Sequence, residues 1–163
     1  MKKFELTNEF ITNMFGTKLF RIRALVEFGD VEAGELGGYV EKESNLGHDD
    51  NAWVYDNAWV YGDAQVSGDA LVYDNAWVYG DARVCGDARV CGNGDYAYAH
   101  GFGSVNRTTT FFRLKDGGVG VRCGCFYGTL AQFRDKIRET HGETKKAQEY
   151  LMLADLMKLR FEK

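Results

Sequence analysis

Residues 51–92 read NAWVYD, NAWVYG, DAQVSG, DALVYD, NAWVYG, DARVCG, DARVCG, seven hexads without interruption. Ala stands at 52, 58, 64, 70, 76, 82 and 88, and Val at 54, 60, 66, 72, 78, 84 and 90. A helical repeat drifts off its own face within two such units, so this period belongs to extended chain. Within each hexad the Ala and Val lie two apart and share one face, while the residue between them faces away. The Asp-Asn or Gly-Asp step at each junction supplies a corner, because Gly accepts positive φ freely and Asn and Asp tolerate it best among the rest. Short strand, corner, short strand describes a hexapeptide β-helix.

The spacing resembles the left-handed parallel β-helix family, whose hexads place an aliphatic residue inward and a small one four positions later. Val54 and Ala58 fit that pattern, as does every later pair; Tyr usually stands where the family often has Gly. The resemblance implies three hexads per triangular coil, so that residues 18 apart stack. Val54, Val72 and Val90 then line one inner wall, Val60 and Val78 the second, Val66 and Val84 the third. Outward positions sort the same way. One face carries Trp53, Tyr55, Leu71, Tyr73, Arg89 and Cys91, the second Trp59, Tyr61, Trp77 and Tyr79, the third Gln65, Ser67, Arg83 and Cys85. Exposed aromatic stacks of this size mark an interface, so a homotrimer packed through one or two aromatic faces is expected, as the family usually assembles. A ligand-stacking platform is the other reading of that face.

Outside the run, Asn45-Leu46 holds the Asn-Ala register of Asn51-Ala52 and Val40 lies six residues before Leu46, so the first coil is expected to begin, in degenerate form, near Gly37. Residues 18–26 alternate as a strand that caps the open coil edge, preceded by a strand and turn in residues 1–15. Past Gly92, residues 96–99 are expected to finish a coil, and 108–114 with 119–125 to form a β-hairpin. Thr129-Leu130-Ala131-Gln132 is a capping box opening a helix that Gly142 stops, and a second helix spans about 144–161. The expected fold is mainly β: a left-handed parallel β-helix of about three to four coils, an N-terminal capping strand, and a C-terminal β-hairpin plus two helices. The segments are 1–36, 37–103 and 104–163.

Residues 21–46, RIRALVEFGDVEAGELGGYVEKESNL, running into the hexads, resemble a group of bacterial and phage-borne hexapeptide-repeat proteins. The stretch 109–142, TTFFRLKDGGVGVRCGCFYGTLAQFRDKIRETHG, resembles a tail recurring in phage and prophage members of that group. The resemblance implies a fold and a phage or prophage setting, and assigns no catalytic residue.

Charge is uneven over the 163 residues: −4 in 1–50, −4 in 51–92 and +4 in 93–163. An acidic solenoid is a poor surface for duplex DNA. No apolar run reaches membrane-spanning length and no signal peptide opens the chain, so a cytoplasmic protein is expected, in the host cell if phage-encoded. Four cysteines without a disulfide or zinc spacing suit a reducing compartment, and as alternating strand residues Cys123 and Cys125 would share a face.

Many left-handed β-helix proteins are acyltransferases that use an acyl-CoA donor and a His general base. The seven hexads hold neither a His nor a loop insertion. His48 and His100 flank them, about three coils and roughly 14 Å apart at the usual strand spacing, too far to share one site in a subunit. Either becomes the catalytic candidate only if the chain is such a transferase. His141, beside Gly142, suits a helix-end role. No spacing offers three His for zinc, and no cofactor or metal is expected. The basic tail offers Arg107, Arg113 and Arg122, which with His100 and the aromatic face of Trp59, Tyr61, Trp77 and Tyr79 would suit a nucleotide or other anion at a subunit junction. The expected function is thus a non-catalytic homotrimeric binding protein of phage or prophage type that antagonises host defence, sequestering a nucleotide signal or binding a defence protein. An acyltransferase, or a structural or virion-associated repeat protein, are the alternatives.

Overall fold

The computed structural model describes residues 2–102 and 107–162. An N-terminal hairpin of β1 (Phe4–Thr12) and β2 (Lys18–Ala24) pairs antiparallel with β3 (Leu36–Val40). Seven two-residue strands follow, one per hexad: β4 (Trp53–Val54), β5 (Trp59–Val60), β6 (Gln65–Val66), β7 (Leu71–Val72), β8 (Trp77–Val78), β9 (Arg83–Val84) and β10 (Arg89–Val90). They pair in parallel at intervals of 18 residues, β4–β7–β10 forming one wall, β5–β8 the second and β6–β9 the third.

Every hexad Ala and Val is 0% exposed, so the lumen is filled by side chains. Each such Val contributes about 1.5–3 kcal/mol by burial. Backbone N–H groups donate to the following coil, as Trp53 does to Ala70 and Tyr55 to Val72. With the ladder this complete, proline has no place in it, and the chain has none. Six consecutive corners, at Asp56, Gly62, Gly68, Asp74, Gly80 and Gly86, carry positive φ. Gly92, next in the series, departs from the expected corner with a φ of −161°.

The first coil is two residues longer than the others. Tyr39 and Val40 pair with Trp59 and Val60, and Leu46 bridges Val66, all at intervals of 20. Leu46 therefore takes the inward place of a Val, not the Ala register expected of it, and the corner before Ala52 absorbs two additional residues. Buried Asn45 holds this coil: its Nδ2 donates to the carbonyls of Gly62 and Ala64, and its Oδ1 accepts from Lys42 N–H. The N-terminal segment also covers Trp53. Expected outside, that indole is 0% exposed, with Phe4 and Phe28 packed edge-on at 6.4 and 5.2 Å.

At the far end the expected hairpin is the middle of a four-stranded antiparallel sheet, β11 (Tyr96–Phe102), β12 (Arg107–Arg113), β13 (Val119–Cys123) and β14 (Phe126–Thr129). Strand β11 does not finish a coil; it pairs antiparallel with β12. Only Tyr96 keeps the inward place 18 residues after Val78, its hydroxyl donating to Trp77 O, and burial pushes its pKa up. Gly124, at φ +59°, turns the chain directly after Cys123, so Cys123 and Cys125 do not lie on one strand. Helices α1 (Leu130–His141) and α2 (Lys145–Phe161) pack on this sheet, with Thr129 and Gln132 making the expected reciprocal cap.

Strand β12 divides two cores: Phe112 plugs the solenoid lumen, while its neighbour Phe111 faces Phe133 and Tyr150 of the helices. The sheet also caps the last coil's open edge. Thr110 Oγ1 accepts from Arg83 N–H, the Tyr127 hydroxyl from Asp87 N–H, and Asp87 O from Lys115 N–H. Unpaired backbone groups at a coil end thus find partners.

Candidate functional site

On the second wall the strand spacing puts like rings in register. Trp59 and Trp77 stack with centroids 4.5 Å apart and planes 5° apart, Tyr61 and Tyr79 at 5.4 Å and 14°. The ring faces are spent on one another, so the wall offers solvent a ribbon of indole edges and phenol hydroxyls. Trp77 and Tyr79 remain 39% and 41% exposed, which makes the ribbon an open apolar surface. At one end Tyr39 continues the row beneath the Arg21 guanidinium, 4.4 Å from its ring; Arg21 donates to the Tyr39 hydroxyl and Gly37 O and pairs with Glu9. At the other end Tyr98 meets Tyr79 edge-on. A nucleobase would find a free ring face only at the ladder ends.

The three candidate arginines do not converge within one chain. Strand alternation puts Arg107 and Arg113 on the helix side of β12 with Phe111, and Arg122 on the opposite side of the sheet, across from Thr110. Arg113 is a clamp: it pairs with Asp95 at 2.9 Å, lies over the Phe161 ring and donates to Phe161 O. Arg122 donates to Gly124 O and reaches Cys85 Sγ at 3.7 Å. It and the sheet bury Cys85, which the hexad pattern placed outside, and burial pushes that thiol's pKa up.

The histidines are equally scattered. His48 stacks on Phe4 at 4.3 Å, its Nδ1 accepting from Lys3 N–H. Beside it the Lys3 ammonium, 2% exposed, donates to Asp50 O, Asp50 Oδ1 and Ala52 O. Burial lowers the Lys3 pKa, against the opposing pull of Asp50. His100 lies at the opposite end of the solenoid, 2.7 Å from Thr108 Oγ1 and 4.0 Å from Asp81. His141 stacks on Tyr150. Among the described residues no three His, Cys, Asp or Glu side chains form a metal-sized cluster.

The structure adds a groove of about 220 Å³ between the β13–β14 turn and α1, edged by Arg107, Lys136 and His141. Its floor is Phe126, Phe133 and Tyr150. Burial, then the neighbouring Cys123, pushes the Tyr150 pKa up to about 12. Of the three basic residues the sequence leads only Arg107 to be expected at a ligand site; His141 suits a helix-end role. Lys136 and His141 lie on α1, one helical turn and more apart, and the Gly124 turn alone brings β14 beneath them.

Compared with known proteins, residues 64–80 match a family model described as the YdcK β-solenoid repeat. No curated protein matches the chain. No helix among the described residues is long and apolar enough to cross a membrane. The chain is mainly β, carrying a β-solenoid repeat and two C-terminal helices.

Proposed function

We propose that this chain is a non-catalytic homotrimeric binding protein on a left-handed β-helix, of phage or prophage type, that antagonises a host defence by sequestering a nucleotide signal or gripping a defence protein. The observation that carries the reading is the edge-out aromatic ribbon of Trp59, Trp77, Tyr61 and Tyr79. Uncharged and continuous over two coils, it suits burial against other copies of the chain. The left-handed sense rests on the hexad pattern, and the phage setting on the resemblance of residues 21–46 and 109–142. The placement of His48 and His100 at opposite ends, each on a partner from a capping element, supports binding over transfer chemistry.

Thermal shift against cyclic and linear nucleotides and CoA esters tests the reading. A rise in Tm with a nucleotide supports signal sequestration, and silence throughout favours a protein partner or a structural role such as a virion component. A shift with a CoA ester, abolished in His48→Ala or His100→Ala, would instead establish an acyltransferase and overturn it.

A further inference from the structure

We infer that the groove under α1 binds a small organic phosphate whose body is a single flat ring. Two elements bring three basic side chains to one rim: Arg107 from β12, and Lys136 and His141 from the middle and end of α1. No carboxylate lines the groove. Among the described residues Arg107 has no ion pair, and Lys136 has only Glu139, a helix neighbour 3.9 Å away. Arg107 and Lys136 thus meet at a groove whose own lining holds no carboxylate, which raises the local potential there, and a dianion relieves it.

The floor is rigid and aromatic. Phe133 meets Phe111 and Tyr150 edge-to-face at 5.9 and 5.8 Å, and both Phe133 and Tyr150 are buried. Gly124, at φ +59°, lets the Arg107 guanidinium lie directly against the turn, where a Cβ would displace the end of that side chain. About 220 Å³ takes one ring and a phosphate, a small site by the standards of ligand pockets.

The inference rests on the reading of the chain as a binding protein, but the site lies within one subunit. Phenyl phosphate titrated into the ¹⁵N-labelled full-length chain, with inorganic phosphate and phenol in parallel, tests it. Saturable amide shifts are expected at Gly124, Cys125, Lys136 and His141, with half-saturation at least tenfold lower for phenyl phosphate than for either fragment. Arg107→Ala and Lys136→Ala, both at exposed positions, should each weaken binding by about tenfold while leaving the rest of the spectrum unchanged. No shifts, shifts elsewhere, or undiminished binding in the double variant would overturn the inference. Binding that persists in a Trp77→Arg/Tyr79→Arg chain separates this site from the assembly: either can fail while the other stands.

Discussion

Gly68→Val is expected to destabilise the protein by about 2–5 kcal/mol, enough to unfold a marginally stable chain. Gly68 sits at φ +68°, where a Cβ costs about 1–2 kcal/mol and a β-branched side chain is a clear outlier. A Cβ there would also lie 2.8 Å from Gly86 N, backbone of the next coil. That backbone has little freedom to retreat, because Gly86 O accepts from Asp69 N–H at 3.0 Å. Overpacking adds about 1–3 kcal/mol. Gly92→Ala is the control: extended backbone and no atom within 4 Å predict a change within about 0.5 kcal/mol. Urea unfolding of the two variants measures both, and equal midpoints would remove the stacked-corner explanation.

Lys3→Ala is the second large effect, an expected loss of about 2–4 kcal/mol. Strand β4 is the edge of its wall, so no strand of the preceding coil satisfies the Ala52 and Asp50 carbonyls, and the Lys3 ammonium donates to both. Truncation leaves two acceptors without that donor at about 1–3 kcal/mol each, partly offset where water enters from the open surface groove that Lys3 lines with Val26, Phe28 and His48. It also removes the stem that lies against Phe28, where the ammonium is 4.6 Å from the ring centroid. Lys3→Met restores the stem without the donor, so it should recover part of the loss. Thermal or urea unfolding of the pair checks this; full recovery with Met would show that packing, not the carbonyl cap, is what Lys3 supplies.

The solenoid was legible because one residue type recurred at one interval. Ala and Val at fixed hexad positions specify the inside whatever surrounds them, and each of them is buried. What failed was the outside. Trp53 and Cys85 share the pattern of Trp59 and Cys91, yet distant segments cover them, Phe4 and Phe28 in one case and Arg122 in the other. A repeat cannot announce which of its faces a non-repeating segment will cover. The two-residue expansion before Ala52 escaped for a related reason, since Leu46 suits an inward place in either register. Residues 96–99 looked like a coil because Tyr96 does occupy the coil's inward position, while the chain beyond it pairs with β12. At the candidate site, Arg107, Arg113 and Arg122 are near in sequence, but strand alternation divides them between two faces.

The central claim is that the aromatic ribbon is the surface through which the chain assembles. Light scattering on the purified chain measures it most directly. The expected mass is about three times the 18.4 kDa of one chain, falling to a single chain in Trp77→Arg/Tyr79→Arg, whose side chains already reach solvent in the isolated subunit. A wild-type mass of one chain, or a trimer that survives both substitutions unchanged, would contradict it.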